Sequence, residues 1–406
     1  MVKLTNMKLN RYKAFLILFI LGSLITCIDP YYPNLDRFES LLVVDALLTN
    51  ENISNYVRLS RTIKTADDKP EMVSGAMVLI KDDFGNSTSL IEESDGIYKT
   101  DSLVFKGEIG RSYKLYIKTS GGEEYESESC FMHQVQEIDS MYITRATEET
   151  DNETEEGITI NIDAKGECDC KYYRWKYEEW WKFEVPFPKA YNYINEYTIT
   201  EYLPLKRTCW ANYKSHEIII KSSENGISQP ILFIGSEKSD RLLIQYHITM
   251  KQFSISKQEY EFWESLQKVN ETGGDIFDKQ PFQVYGNIHN INDPGEQVLG
   301  YFQVSGVSVR SRYITKSQIA GMLLPEYRYK CGMVEKGPVD YIDPVLGGPL
   351  PSLDQIHGWY TSAGLTFIWP LFYPGPTARL VFVDPLCADC SLRGSLIKPD
   401  FWIDLN

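Results

Sequence analysis

The sequence predicts a mainly β protein built of tandem antiparallel β-sandwich modules, prealbumin- or immunoglobulin-like, with one short helix in the second half. Three observations predict it. Aromatic residues make up 13% of the chain, including 27 tyrosines and 8 tryptophans, and such rings pack well on a pleated surface. Short runs with a two-residue period recur between turn residues through the first third. A helical period holds over one segment only, near residues 257–270. The apolar content of 43% belongs to a folded chain.

Residues 1–26 have the three parts of a processing segment: cations at Lys8, Arg11 and Lys13, an apolar stretch from Ala14 to Leu21, then Gly22, Ser23 and Thr26. The apolar stretch is shorter than the ~20 residues that span a bilayer. Leu24-Ile25-Thr26-Cys27 resembles the bacterial lipobox, so 1–26 is expected to be a lipoprotein signal peptide and Cys27 the lipidated first residue of the mature chain. The alternative is an ordinary secreted chain cut nearby, with Cys27 an incidental thiol. Loss of 1–26 removes Lys3, Lys8, Arg11 and Lys13 and no acid, taking the formal charge from −15 to −19. Such a surface repels nucleic acid, which is excluded as a partner.

Residues 27–38 are rich in Pro and Tyr without periodicity and read as a tether. An N-terminal sandwich is expected over 39–135. Its strands are LLVVDALL (Leu41 to Leu48), NYVRLS (Asn55 to Ser60), AMVLIKD (Ala76 to Asp82), GIYKT (Gly96 to Thr100) and SYKLYIKT (Ser112 to Thr119). Asp83-Phe84-Gly85-Asn86 and Ser120-Gly121-Gly122 supply hairpin turns. Residues 136–157 contain ATEETDNETEEG, with six acids and no cation, and are expected to be an acidic linker or loop.

A larger β-rich domain is expected over 158–406. It opens with YYRWKYEEWWKFEV, where Tyr173, Trp175, Tyr177, Trp181 and Phe183 share one face of a strand. That face is either a platform for sugar rings or the core of a second sandwich. Trp180, on the polar side, is a candidate contact residue. Ser256 to Glu259 fits a capping box ahead of an apolar stripe of Tyr260, Trp263, Leu266 and Val269, with Gly273-Gly274 as a stop. Asp275, Asp278 and His289 follow in a polar segment and are candidates for ligand or partner contact.

Catalytic motifs are missing: the chain has no HExxH, no GxSxG and no Gly-rich phosphate loop. Its five histidines are scattered, so no metal site and no cofactor are expected. Beyond Cys27 there are seven cysteines: Cys130, Cys168, Cys170, Cys209, Cys331, Cys387 and Cys390. Export permits disulfides, and Cys331 is expected to pair with Cys387 or Cys390. Asp101-Ser102-Leu103 and Asp139-Ser140-Met141 resemble the Asp-Ser-apolar acceptor triplet of Bacteroidota O-glycosylation, making Ser102 and Ser140 candidate modification sites.

Taken in order, the lipobox, LLVVDALLTN, VRLSRT, YEFWESLQKVNETGGDIFDKQPFQVYGNIHN, VLGYFQVS and CADCSLRGSLIKPDFW resemble a family of Bacteroidota cell-envelope lipoproteins, domain of unknown function four-two-four-nine. Where the family's terminal motif usually has two glycines, this chain has Arg393-Gly394. The resemblance implies an outer-membrane, surface-facing lipoprotein working beside a TonB-dependent β-barrel transporter, and it assigns no catalytic residue. The expected function is a non-enzymatic accessory or ligand-binding subunit held to the membrane by its lipid, with a glycan or peptide as ligand. An envelope hydrolase acting on glycan or peptide is the alternative, as is a surface adhesin or scaffold.

Overall fold

The computed structural model describes residues 40–64, 68–150, 153–164, 170–195, 198–224, 226–272, 284–327, 330–340, 364–372 and 377–405. The strands belong to one unit, Leu41–Arg61 with Met72–Asn406. The protein is mainly β, with a single α-helix, Lys257–Thr272, among the described residues.

One long strand, Val298–Thr315, organises the sheets. Its first residues pair in parallel with Leu42–Thr49, from Leu42 opposite Val298 to Thr49 opposite Ser305. From Gly306 onward its other edge pairs antiparallel with Gln245–Ile255, from Ser254 opposite Gly306 to Gln245 opposite Thr315. A nine-stranded sheet results. It runs from Thr208–Lys214 through Tyr172–Glu184, Gln245–Ile255, Val298–Thr315, Leu42–Thr49, Tyr56–Arg61 and Ile97–Lys99 to Ile91–Ser94, with Ile219–Ser222 also pairing on Tyr172–Glu184. Gly300 is required at the parallel junction: its φ is +93°, and a Cβ there would lie 1.9 Å from the Val44 carbonyl oxygen.

Alternation along these strands sends every second side chain to one face, and two smaller sheets cover that face. Over the first half lie Met77–Asp82, Ser112–Lys118, Glu124–Ser127 and Ile288–Asn290, with Ser87–Ser89 and Cys130–Phe131. The core between them holds Leu42, Val44, Leu59, Tyr98, Leu115, Ile117, Tyr125 and Phe302. Over the second half lie Ser140–Thr150, Glu153–Ala164 and Ile227–Gly235. That core holds Ile158, Ile160, Ile162, Tyr173, Trp175, Phe183, Tyr246 and Ile248. The segment 39–135 therefore does not close on itself, because Ile288–Asn290 and the start of Val298–Thr315 complete its sandwich.

The acidic segment 136–157 is not a linker. Ser140–Thr150 and Glu153–Ala164 form a long hairpin in which Glu148 stands opposite Glu155. Like charges across a ladder are unfavourable, yet Ile158, Ile160 and Ile162 are fully buried and fix the register that the acidic tip inherits.

A third small sheet, of Val334–Asp340, Thr377–Val383 and Thr366–Phe372, lies toward the C-terminus. Cys331 is bridged to Cys387 beside its core residues Ile368, Val381 and Val383. Cys390 goes to Cys209 instead, so the two cysteines of C-x-x-C serve different bridges. Cys170 is also disulfide-bonded, Cys130 is a free thiol, and Cys168 lies outside the described residues. No described helix is long and apolar enough to cross a membrane.

Candidate functional site

The two faces of Tyr172–Glu184 differ in what they meet. Tyr173, Trp175, Tyr177, Trp181 and Phe183 enter the second core, so this aromatic row is packing and offers no platform for sugars. Arg174, Lys176, Glu178, Trp180 and Lys182 point to the outer face of the nine-stranded sheet.

That outer face is covered at two places. The helix Lys257–Thr272, begun by the Glu259 N–H donating to Ser256 Oγ at 3.1 Å, lies over Arg174. The Arg174 guanidinium sits 3.5 Å from the Trp263 ring centroid and donates to Gln303 Oε1 at 2.5 Å. Phe262 packs on Tyr301, ring centroids 4.8 Å apart. Elsewhere the C-terminal segment brings Phe401 to Trp180 (5.8 Å) and His247 (4.8 Å), and Trp402 to Tyr313 (5.7 Å).

A cleft of about 430 Å³ opens on this face. Lys176, Glu178, Thr249 and Lys251 come from paired strands, the Thr49 to Tyr56 loop forms a wall, and Leu47, Ile53 and Phe253 add apolar surface. The cleft thus draws on strands of both sandwiches.

Its charges are unevenly matched. Lys176 stands directly opposite Lys251 in the ladder. Lys251 Nζ donates to both carboxylate oxygens of Glu51, at 2.7 and 2.8 Å. Glu178 accepts from Trp180 Nε1 at 2.9 Å, and Asp45 accepts from the Tyr56 hydroxyl at 3.3 Å. Lys176 makes no hydrogen bond or ion pair among the described residues, and burial, with the Arg174 cation second, pushes its ammonium down to about 8. Asn55 also lines the cleft. Its Oδ1 accepts from the Thr49 N–H at 2.8 Å and the Thr49 hydroxyl at 3.2 Å, leaving a buried Nδ2 without an acceptor among the described residues.

Beneath the helix, desolvation raises the Glu259 carboxyl to about 7, opposed by Arg174 and Lys176, while Trp263 Nε1 donates to it at 3.2 Å. Desolvation likewise lowers Arg174 to about 10. Such an arrangement can receive hydrogen-bond acceptors and negative charge. Among the described residues, no group of three or more His, Cys, Asp or Glu side chains is placed to hold a metal ion.

The residues singled out by sequence are dispersed. Trp180 is half-buried under Phe401 on the same outer face. His289 is exposed on Ile288–Asn290, opposite Glu126. Cys27, Asp275 and Asp278 lie outside the described residues. Ser102 is half-buried in a turn beside the exposed Leu103 and Val104, whereas Ser140 is in a strand with Oγ 3.4 Å from Asp163 Oδ2. Lys251 and Asn55 escaped sequence reasoning, since neither belongs to a motif and only strand register brings them to Lys176.

Fold and cleft together define a double β-sandwich protein whose shared sheet carries an open, donor-rich cleft. The family described as Domain of unknown function (DUF4249) matches residues 28–311, and the chain belongs to it. No curated protein sequence matches the chain. Among solved structures, it was compared with the BSP domain of a biofilm associated protein: 9% identity, 69% of this chain and 62% of that chain covered, TM-score 0.11.

Proposed function

We propose that this protein is a lipid-anchored outer-membrane subunit that assists a TonB-dependent transporter and binds its ligand or partner on the outer face of the shared sheet without covalent chemistry. The observation that carries the binding role is the cleft beside Lys176, where the buried Asn55 amide nitrogen and the half-buried Lys176 ammonium have no acceptor among the described residues. The address and the transporter partnership are supported by the lipobox around Cys27 and by the family resemblance. A tether over 27–38, about twelve residues, reaches at most roughly 40 Å, which keeps the first sandwich near the membrane and a barrel's loops. The acidic surface steers it toward basic partners.

The test is co-purification. Affinity-tagged full-length protein, extracted in detergent from its native membrane, should bring down a TonB-dependent transporter at near-equal stoichiometry. A protein that runs alone and turns over glycan or peptide substrates would replace this reading with the envelope hydrolase.

A further inference from the structure

We infer that the cleft recognises an organic carboxylate carrying an apolar body, with the carboxylate held by Lys176 and Asn55. The inference deepens the binding role proposed above and rests on it. Two donors in this cleft have no protein acceptor among the described residues: the buried Asn55 amide nitrogen and the half-buried Lys176 ammonium. The buried Asn55 donor has lost its hydration and gains nothing in return, so it favours a ligand that brings an acceptor, and the Lys176 cation favours one that brings negative charge. The carboxylates nearby do not answer them, because Glu51 is held bidentately by Lys251, Glu178 by Trp180, and Asp45 by Tyr56.

A carboxylate fits this pair better than a neutral acceptor. It offers two oxygens to two donors, and its charge cancels the cation that stands opposite Lys251 in the ladder. A phosphate is less suited, because Glu51, Glu178 and Asp45 surround the position and oppose a second negative charge. Leu47, Ile53 and Phe253 then give the apolar body a surface to cover. A cleft of about 430 Å³ lies within the usual size of small-ligand sites. The carboxylate could belong to a peptide C-terminus or to a small organic acid, and the probes separate the two.

Binding also depends on pH. Burial sets the charge of Lys176 first, then Arg174 on its own strand, Asp45 on Leu42–Thr49, Glu259 on the helix and Lys251 on the neighbouring strand, while Glu51, Glu178, Lys214 and His216 line the same cleft. A bound carboxylate favours the ammonium, so affinity is present below about pH 8 and falls as pH rises through that value.

Calorimetric titration of the detergent-solubilised full-length protein would use three probes: N-acetyl-Ala-Ala-Leu with a free carboxylate, the same peptide as its C-terminal amide, and hexanoate. The expected result is binding of at least one carboxylate, about tenfold or more weaker for Lys176→Met and kept by Lys176→Arg, with the amide failing to bind. Binding of the peptide acid alone assigns the carboxylate to a peptide terminus; binding of hexanoate as well assigns it to small acids in general. Equal binding of acid and amide, or no binding of either carboxylate, overturns the inference. Co-purification with the transporter is read on the same wild-type preparation, so absence of carboxylate binding with the transporter retained overturns this inference alone and leaves the function proposed above standing.

Discussion

Lys176 and Lys251 occupy one rung of the ladder between Tyr172–Glu184 and Gln245–Ile255, and among the described residues only Lys251 has a carboxylate in contact. Two cations at one cross-strand position repel each other, so the Glu51–Lys251 pair is what makes the rung tolerable. Glu51→Gln is expected to lower the free energy of unfolding by on the order of 1 kcal/mol, and Lys176→Met in that background to recover most of it. Urea denaturation of the four proteins of this cycle measures the coupling; strict additivity would dissociate Lys176 from the pair.

Glu259 makes stability depend on pH. Its carboxyl rises from 4.5 to about 7 in the folded state, so the folded protein keeps a proton that the unfolded chain has released. Stability therefore declines as pH rises between those two values, and the penalty is complete above about 7. Between about pH 5 and pH 8 the wild type should lose on the order of 2–3 kcal/mol more than Glu259→Gln, whose amide still accepts from Trp263. Parallel pH profiles for the two proteins would contradict this.

The bridges differ in what they fasten. Cys209–Cys390 spans 181 residues and ties the C-terminal segment to the edge of the nine-stranded sheet, whereas Cys331–Cys387 spans 56 and closes the third sheet. Cys209→Ser with Cys390→Ser should cost roughly 2–5 kcal/mol. It should also raise proteolysis after Arg393 and expose Trp180 and His247, which Phe401 covers. Unchanged cleavage would show that packing alone holds the segment.

Labelled palmitate should enter the wild type and not Cys27→Ser, and that variant should leave the membrane fraction. Label persisting in the variant removes both the anchor and the address.

The elements legible in sequence were those with a strong local signal. Ser112–Lys118 alternates Tyr113, Leu115 and Ile117 with polar neighbours, and Ser256 and Glu259 announce the helix. The hairpin 140–164 was hidden because its acids gave a solvated-loop composition, while the buried isoleucines that fix it come only after Gly157. VLGYFQVS announced a strand, but its continuation to Thr315 did not stand out because Arg310 and Arg312 interrupt the apolar pattern. The cleft was invisible for a different reason. Lys176 looked like any residue on a polar face, and its opposition to Lys251 arises from register across a separation of 75 positions that no local pattern encodes.

The parallel pairing of Leu42–Thr49 with Val298–Thr315 bears on biogenesis. Asn50 Oδ1 accepts from the Val307 N–H across 257 residues, so one of the earliest strands of the fold must wait for one of its latest. A chain synthesised from its N-terminus presents Leu42–Thr49 with one edge unpaired until about three quarters of its length has been made. Folding of such a chain is slow by topology, because its central pairing joins strands about 250 positions apart.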